Sequence, residues 1–557
     1  MTNKQNLTGA QAVIATLRAY NVDTIFGIPG VHTLPLYDAM QQEQGLRHIL
    51  ARHEQGAGFM ADGYARISGR PGVVCTITGP GVTNVATPIA DAYADSIPLL
   101  VISTGLPRAS KGHFRGELHG LKNQRGMMEA LAGWIRAVEY VEEIPGALVD
   151  AFRVMRSGRP RGAYLEIPLD LLEVQAEVVV PSPIAPSEDL PPLAHDAITA
   201  TARMLSEAQS PLIIAGAGVT FAGANEQLAQ LAELLSAPVL LGGKSHDVLP
   251  SDHPLVIPSR GYAPRELQPL VESCDVVLVV GSKLGAQRTN VTVLEGGKLR
   301  TLKTSDLGLP LPAQLIHIDI DPAEIGHNYP ARVGIAADAR LALEALLAAL
   351  SNHSPKTTSR TDEIAQIKQA LRNRARRAYG ETVALLDGLR EGLPRDGIVV
   401  ADMTMPGYAS AQYLPVYEPR TFIHPSELCA IGCGLPLALG AQVAAPGKPV
   451  VALCGDGGFL LNVGELATAV QEHLPVVTVI FNDATYTAVK SDQHRRFGSR
   501  YIATDLIAPD YVALAEAFHM RGMRAESPEA LRDAVSAAIS QQGPTLIEVP
   551  LPAREFL

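Results

Sequence analysis

The stretch "VVALCGDGGFLLNVGELATAVQEHLPVVTVIFND", residues 450–483, decides the fold of the C-terminal part of the chain. An apolar, strand-like run ends in a Gly-Asp-Gly-Gly turn at residues 455–458, and a helix is expected to start near Val463. A second apolar run ends at Asn482-Asp483. Apolar runs joined by a helix are typical of parallel strands, whose carboxyl ends meet at one edge of the sheet. The sequence therefore predicts that Asp456 and Asp483 lie close together.

The glycine-rich turn predicts a phosphate site that contains a metal ion. Backbone N–H groups at a strand-to-helix turn suit a phosphate, but a carboxylate there would repel it unless a cation lies between them. Mg²⁺ prefers such a set of protein, phosphate and water oxygens, and the predicted ligands are Asp456, Asp483 and the backbone of Thr485. An ordinary Gly-Asp-Gly turn would not explain a second polar strand end 27 residues later (483 − 456). A dinucleotide-binding loop needs G-x-G-x-x-G, which "GDGGFL" does not supply.

Apolar runs rich in Val and Ile alternate with helical stretches along almost the whole chain, as in "PLLVIST", "DVVLVVGS" and "PVVTVIFND". This alternation predicts an α/β fold with three doubly wound parallel-sheet domains. Two stretches, residues 178–196 and 351–363, are rich in polar residues and interrupt the alternation, so we expect them to be linkers. The expected domains span residues 1–180, 190–350 and 365–557.

Composition excludes several classes of partner. The chain has 557 residues with 46 basic and 57 acidic side chains, and its net charge of −11 argues against nucleic acid as a partner. The five cysteines form no Cys-x-x-Cys pair, so neither a disulfide framework nor a zinc knuckle is expected. The N-terminus lacks the features of a signal peptide, and no apolar run is long enough to span a membrane. The expected location is the cytoplasm, with no membrane partner.

The spacing from "GDGG" to Asn482-Asp483 resembles the thiamine diphosphate motif of the superfamily of acetolactate synthases, pyruvate oxidases and 2-oxo acid decarboxylases. In the first domain, "NVDTIFGIPGVHTLPLYDAM" (21–40), "RHEQGAGFMADGYAR" (52–66) and "GPGVTN" (79–84) are similar to the family's pyrimidine-binding domain. The strongest resemblance is to 2-oxoarginine decarboxylases and acetolactate-synthase-like proteins. It implies a pyrimidine-binding first domain, a central Rossmann-like domain, and a third domain that binds thiamine diphosphate and Mg²⁺. FAD is not expected.

The resemblance also assigns residues to the cofactor. Glu54 falls on the carboxylate that activates thiamine, since a carboxyl group in an apolar pocket can share a proton with the aminopyrimidine; the alternative is a solvated helix carboxylate. Ile431 falls on the bulky residue that bends the cofactor, and a core residue at a helix start is the alternative there. Asp483 stands where the family usually has asparagine. The other expected cofactor contacts are Pro29, Gly30, Thr78, Asn84, Thr404, Met405, Gly455, Asp456, Gly457, Gly458, Thr485 and Tyr486.

The reaction that the resemblance implies is the non-oxidative decarboxylation of a 2-oxo acid, through a C2 ylide and an enamine, to an aldehyde. The alternative is an acetolactate-synthase-type carboligation, in which the enamine joins a second carbonyl compound. A non-catalytic relative would be expected to have lost Glu54 or Asp456, and both are present. The family implies a homodimer as the minimal active unit and a homotetramer as the expected assembly.

Three further side chains, His32, His119 and Gln124, are predicted to be catalytic residues of the substrate cleft, with His113 as an additional candidate. A neutral histidine can relay a proton at physiological pH, which fits decarboxylation better than carboligation. Structural histidines are the alternative interpretation.

The loop around His119 leaves the substrate open. Gly120 follows His119, where we expect 2-oxoarginine decarboxylases to have an acidic residue that binds the guanidinium group. Arg115 and Lys122 instead favour an anionic or neutral 2-oxo acid.

Overall fold

The computed structural model describes residues 4–110, 113, 115–182, 190–259, 265–285, 292–295, 298–301, 309–352 and 360–552. Three six-stranded sheets, each built from parallel strand pairs, organise the chain in sequence order. The predicted fold class, α/β with three doubly wound parallel sheets, is therefore confirmed. The domain boundaries between residues 180 and 190 and between residues 350 and 365 stay a prediction.

The strands of the three sheets are short and mostly buried, as their Val- and Ile-rich sequences predict. The first sheet contains β2 (Thr24–Gly27), β3 (Arg47–Leu50), β4 (Gly72–Thr76), β5 (Leu99–Gly105), β6 (Trp134–Ala137) and β7 (Gly162–Pro168). The second contains β9 (Pro211–Ala215), β10 (Val239–Leu241), β11 (Val256–Pro258), β12 (Val276–Val280), β15 (Leu315–Asp319) and β16 (Val333–Ala336). The third contains β17 (Ile398–Ala401), β18 (Phe422–Ile423), β19 (Val450–Gly455), β20 (Val476–Asn482), β21 (Arg521–Arg524) and β22 (Thr545–Pro550).

In the part of the chain that the structure describes, two antiparallel pairs lie outside these sheets. They are β1 (Lys4–Thr8) with β8 (Gln175–Val179), and β13 (Thr292–Glu295) with β14 (Lys298–Thr301). The first pair ties the start of the chain to the end of the first domain.

The first and third sheets share one topology. Their strand orders are β3-β2-β4-β5-β7-β6 and β18-β17-β19-β20-β22-β21, which are the same order when each sheet is numbered from its own first strand. The second sheet has the order β11-β10-β9-β12-β15-β16. Ligands of such sheets bind where the strand order reverses, at the carboxyl ends of the strands. That point lies between β2 and β4 in the first sheet and between β17 and β19 in the third.

Helices connect the strands, and several begin with the caps that the sequence indicates. Thr8 forms a capping box with Gln11, and Asp338 and Ser527 accept backbone hydrogen bonds at the starts of their helices. The α-helices of the first two domains span Gly9–Ala19, Leu34–Gln42, Glu54–Ser68, Pro80–Asn84, Ala86–Asp95, Gln124–Glu129, Glu143–Arg156, His195–Glu207, Gly218–Phe221, Asn225–Leu235, Gln268–Glu272 and Ala339–Ala349. Those of the remainder span Thr361–Tyr379, Glu381–Gly392, Met405–Tyr413, Gly434–Ala444, Asp456–Phe459, Glu465–Gln471, Thr487–Phe497, Tyr511–Ala517 and Pro528–Gln541. Short 3₁₀ turns occupy Arg108–Ser110, Leu169–Leu171, Gly243–Ser245, Arg265–Leu267 and Leu460–Asn462.

The first and third domains share a hydrophobic core through two crossing helices, Glu54–Ser68 and Gly434–Ala444. Glycines allow the two backbones to approach closely. A Cβ atom added to Gly440 would lie 1.8 Å from the Met60 carbonyl oxygen, and one added to Gly63 would lie 2.1 Å from that of Leu437. This contact fixes how the first domain sits on the third within one chain.

The helix expected near Val463 is present as Glu465–Gln471. A short helix, Asp456–Phe459, and a 3₁₀ turn, Leu460–Asn462, precede it and were not expected. The linkers are shorter than the polar stretches, because β8 runs to Val179 and helices begin at His195 and Thr361. Residues 183–189 and 353–359 of these stretches lie outside the described residues. Among the helices that are described, none combines the length and apolar character needed to cross a membrane.

The helix crossing generates a stability prediction. Replacing Gly440 with Ala forces a methyl group into the Met60 backbone, so the free energy of unfolding should fall by about 1–3 kcal/mol or more. Gly146 is the matched control, because it lies in the Glu143–Arg156 helix and an added Cβ meets nothing within 4 Å. Gly146→Ala should raise the free energy of unfolding by up to about 1 kcal/mol. Urea unfolding measures both, and equal stabilities for the two variants would contradict the close crossing.

Candidate active site

A cavity of about 220 Å³ opens at the carboxyl ends of β17, β19 and β20. These strands are neighbours in the third sheet, and β17 and β19 flank the point where the strand order reverses. Every residue that the sequence analysis placed at the diphosphate end of the cofactor lines this cavity: Thr404, Met405, Ile431, Gly455, Asp456, Gly457, Gly458, Asp483, Thr485 and Tyr486. The structure therefore brings together residues that are up to 82 positions apart (486 − 404).

The glycines of the turn leave no room for side chains. A Cβ atom on Gly457 would lie 2.4 Å from Tyr486 Cε1, and one on Gly458 would lie 3.1 Å from Ile431 Cγ1. The turn backbone is thus pressed between Tyr486 and Ile431, and it forms the start of the Asp456–Phe459 helix. A backbone this close to the cavity is what a bound phosphate requires.

Asp456, which is buried, and Asp483, which is half-buried, form a carboxylate pair in the wall of the cavity. Burial raises the pKa of Asp456 to about 6, and the charge of Asp483 adds to the increase. Burial also raises the pKa of Asp483, whose Oδ2 accepts a hydrogen bond from the Thr487 hydroxyl. The Oδ2 atom of Asp456 is buried and has no hydrogen-bond partner. A divalent cation between the two carboxylates would satisfy this oxygen, so the residues fit Mg²⁺.

The remaining ligands of such a cation have to be backbone, phosphate or water oxygens. Across the described part of the chain, no group of three or more His, Cys, Asp or Glu side chains is placed to hold a metal ion. The Thr485 hydroxyl donates to the Thr504 carbonyl at 2.8 Å, so it is engaged elsewhere. The Thr485 carbonyl accepts one hydrogen bond, from Thr487 N at 2.9 Å, and keeps a second lone pair. Its carbonyl, rather than its hydroxyl, is the candidate ligand.

Glu54 lies at the start of the Glu54–Ser68 helix and is 9% exposed. The Asn84 side-chain amide donates to Glu54 Oε2 at 2.8 Å. The Oε1 atom faces the turn after β4, where a Cβ atom on Gly81 would lie 3.4 Å away. The two sequence-predicted residues therefore meet, and Asn84 orients the carboxylate.

Pro29, Gly30 and Thr78 lie at the reversal point of the first sheet. Pro29 and Gly30 follow β2, and a Cβ atom on Gly30 would lie 2.4 Å from Ile77 Cδ1, which follows β4. Pro29 is exposed, whereas Thr78 is buried. These residues occupy the same place in the first sheet that the diphosphate cavity occupies in the third.

Gln124 is buried beneath the turn after β4. Its Oε1 accepts from the Thr78 hydroxyl and from Gly79 N, both at 2.8 Å. Its Nε2 lies 3.1 Å from the Thr104 carbonyl and 3.0 Å from both Tyr164 Oη and Glu166 Oε2. Both the oxygen and the nitrogen of the amide are therefore engaged in hydrogen bonds within the protein. This favours a role for Gln124 in holding the turn in place rather than in contacting the substrate.

His32 and His119 lie side by side, with ring centroids 5.3 Å apart and an edge-to-face arrangement. Burial and the neighbouring His119 lower the pKa of His32, whose Nδ1 is buried without a hydrogen-bond partner. His119 has a left-handed backbone (φ +64°) and touches the same turn as Gln124, because a Cβ atom on Gly79 would lie 2.4 Å from its carbonyl oxygen. His113 is exposed.

The two halves of the site do not meet within one chain. Among the described residues, the lining of the diphosphate cavity comes only from residues 403–551. The start of the Glu54–Ser68 helix instead faces Glu465, whose Oε1 accepts from the backbone N–H groups of Arg52 and His53 at 3.1 Å. The sequence analysis missed Glu465 and Asp402. Asp402 carries the signal that identified Asp483, a carboxylate directly after a buried strand, whereas Glu465 is a helix residue with no such signal.

Models of three thiamine pyrophosphate enzyme domains match the chain. The N-terminal TPP binding domain matches residues 7–127, the central domain matches residues 198–346, and the C-terminal TPP binding domain matches residues 402–549. Glu54 lies within the first match, and the Asp456–Asp483 pair lies within the last.

Curated relatives align over nearly the full length. A probable 2-ketoarginine decarboxylase from Pseudomonas aeruginosa is 37% identical over 99% of this chain and 95% of its own length. A probable acetolactate synthase large subunit from Methanocaldococcus jannaschii is 33% identical over 99% of this chain and 93% of its own length. The acetolactate synthase isozyme 2 large subunit from Escherichia coli is 32% identical over 98% of this chain and 96% of its own length.

The carboxylate pair generates a prediction for metal binding. Cation binding needs ionised Asp456, whose pKa is raised to about 6, so Mg²⁺ affinity should fall as the pH drops below that value. Asp483→Asn removes a charge that raises the pKa of Asp456, so the pH below which Mg²⁺ affinity is lost should be lower in this variant. Calorimetric titration with Mg²⁺ and thiamine diphosphate measures the shift in the pH at which affinity is lost. The titration runs from about pH 5 to pH 8, the range in which carboxylates with raised pKa values titrate.

Asp505→Asn is the matched control for this titration, because Asp505 pairs with Lys490 nearby, has a largely exposed side chain and does not line the cavity. A pH profile of Asp483→Asn that matches those of the wild type and the control would contradict the coupling.

Proposed function

The chain belongs to the thiamine pyrophosphate enzyme family, and we propose that it uses thiamine diphosphate and Mg²⁺ to decarboxylate a 2-oxo acid to an aldehyde. The observation that carries the proposal is the Asp456–Asp483 pair, with a buried, unpartnered oxygen beside a glycine turn. The similarity to a 2-ketoarginine decarboxylase supports decarboxylation. The proposed reaction has no net oxidation or reduction, so it does not need FAD.

Several residues of the third domain would hold the cofactor. The Gly455–Gly458 turn and Thr404 would bind the diphosphate, while Asp456, Asp483 and the Thr485 carbonyl would bind Mg²⁺. Ile431, which contacts Gly458, would support the bent cofactor. When bound, thiamine diphosphate supplies a nucleophilic carbon that adds to the 2-oxo group and accepts the electron pair released with CO₂.

Glu54 would exchange a proton with the aminopyrimidine. Asn84 engages Oε2, so Oε1 is the oxygen left to hold that proton. The N-terminus of its helix also favours the charged form of a carboxylate. Gln124 would keep the turn that carries Asn84 in place through Gly79.

His32 and His119 would deliver a proton to the product. The lowered pKa of His32 keeps its ring neutral at physiological pH, so it can accept a proton from solvent and pass it on. Protonation ends the reaction at an aldehyde. The second candidate function, carboligation with another carbonyl compound, is favoured by the acetolactate synthase relatives.

The active assembly is proposed to be at least a homodimer, and a homotetramer is the expected form. The first and third domains pack against each other in one chain, but Glu54 does not line the diphosphate cavity of its own chain, so a second copy would complete each site. Cytoplasmic location is supported by five free cysteines, four of them buried, because thiols of this kind persist in reducing compartments.

A panel of 2-oxo acids tests the function and separates the two candidates. The panel contains pyruvate alone, pyruvate with an aldehyde acceptor, and branched, aromatic and guanidino 2-oxo acids. We expect thiamine diphosphate-dependent release of CO₂ and an aldehyde from one member, identified by mass spectrometry. An acyloin or acetolactate product would favour the carboligase, and no CO₂ release from any member would contradict both candidates.

A further inference from the structure

A ten-residue segment, 424–433, connects two cavities of the molecule. It follows β18, precedes the Gly434–Ala444 helix, and contains neither helix nor strand. Glu427 lines a cavity of about 700 Å³ that is walled mainly by the first and central domains. Cys429 and Ile431 line the diphosphate cavity of the third domain. Only four peptide units separate Glu427 from Ile431, so a shift of one end is readily transmitted to the other.

Two lysines of the central domain hold the Glu427 end. Lys244 Nζ lies 3.1 Å from Glu427 Oε1, and Lys283 Nζ lies 3.1 Å from Glu427 Oε2. Burial opposes ionisation of Glu427, but the two lysines outweigh it and lower the pKa of Glu427. Their side chains are only 20% and 28% exposed, so solvent screens these pairs less than it screens pairs on an open surface.

The first domain adds a second anchor beside Glu427. Ser426 N donates to Asp95 Oδ2 at 3.2 Å, and Lys244 Nζ lies 3.3 Å from Asp95 Oδ1. The side chain of Asp95 is fully buried and its pKa is lowered to about 2, because Lys244 and Arg66 outweigh the effect of burial. The segment is thus fixed at this end by two domains that do not line the diphosphate cavity.

The other end of the segment is fixed by the third domain itself. Asp402 Oδ1 accepts from Gly432 N at 3.1 Å and Oδ2 accepts from Gly434 N at 3.2 Å. The Asn462 amide donates to the Gly432 carbonyl at 2.7 Å. Gly432 has φ +85°, and Cys429 has φ +59°, a left-handed conformation that non-glycine residues adopt at a cost. The path of the segment is therefore set from both ends, with Ile431 next to the second anchor.

We propose that Glu427 is a positioning residue, through which Lys244 and Lys283 of the central domain hold Ile431 against the cofactor. The inference rests on the proposed function only in that Ile431 contacts thiamine diphosphate. It gives the central domain a part in catalysis although none of its described residues lines the diphosphate cavity. Glu427 touches no reacting atom, so its loss should act on cofactor affinity and turnover through Ile431.

Glu427→Gln tests this proposal, because it keeps the size of the side chain and removes its charge. Displacement of a residue beside the reacting centre costs about 10–100-fold, so we expect the turnover number to fall by about tenfold or more. The dissociation constant for thiamine diphosphate, measured by calorimetry in the presence of Mg²⁺, should rise. Lys283→Gln, which leaves the Lys244–Glu427 pair, should show a smaller change in the same direction, and Glu427→Asp should recover part of the loss.

Glu324→Gln is the matched control. Glu324 pairs with Arg159 across the first and central domains, and both line the same large cavity. Within the described residues, this ion pair does not include the 424–433 segment. This variant should lose a similar amount of thermal stability while its turnover and cofactor affinity stay at the wild-type level. Equal catalytic losses in Glu324→Gln and Glu427→Gln would overturn the proposal, because they would show that the ion pairs only hold the domains together.

A double-mutant cycle shows whether Glu427 acts through Ile431. If it does, Glu427→Gln should add little to the loss of turnover and affinity already caused by Ile431→Ala. Losses that multiply would overturn the inference and leave the proposed function intact. A wild-type protein that binds thiamine diphosphate but turns over no 2-oxo acid would instead contradict the proposed function, and the cofactor dissociation constants would still decide the role of Glu427.

Discussion

The close crossing of the Glu54–Ser68 and Gly434–Ala444 helices is the contact on which the rest of the structure depends. Because Gly63 and Gly440 admit the opposing backbone, the first and third domains share one core and cannot rotate freely against each other. In this arrangement Glu465 accepts from the backbone of Arg52 and His53 just before Glu54, and Glu54 does not line the diphosphate cavity. The same contact that stabilises the chain therefore separates the two halves of the proposed active site, which the proposed second copy would bring together.

The diphosphate cavity contains two neighbouring carboxylates, Asp456 and Asp483, whose negative charges a bound cation would neutralise. Two carboxylates withdrawn from solvent and close together are unfavourable when both are charged, and the pKa values of Asp456 and Asp483 are both raised. A cation removes this penalty, and it is also what allows a phosphate to approach a turn that contains a carboxylate. The hydrogen bond from Thr487 and the charge of Lys490 offset part of the increase in the pKa of Asp483.

The sequence predicted the features that depend on periodicity and on strand ends. The three sheets follow from the apolar runs, and most residues of the diphosphate cavity follow from turns after β17, β19 and β20, with Ile431 in the segment after β18. It could not predict features that depend on tertiary contacts between distant segments. The hydrogen bonds of the Gln124 amide, the contact of Asp402 with Gly432 and the ion pairs between Glu427 and two lysines all join residues at least 20 positions apart. The start of a helix at Asp456 was missed because glycines, which are poor helix formers, follow it directly.

Complementation between two inactive variants tests the central claim, that each site is built from two copies of the chain. Glu54→Gln and Asp456→Ala should each lose nearly all thiamine diphosphate-dependent turnover of the 2-oxo acid. When they are mixed under conditions that allow subunit exchange, half of the dimers are mixed, and one of the two sites in each mixed dimer carries neither substitution. Turnover should therefore recover to about a quarter of the wild-type value, as expected for a two-fold symmetric dimer. A mixture no more active than the separate variants, despite demonstrated subunit exchange, would contradict the account.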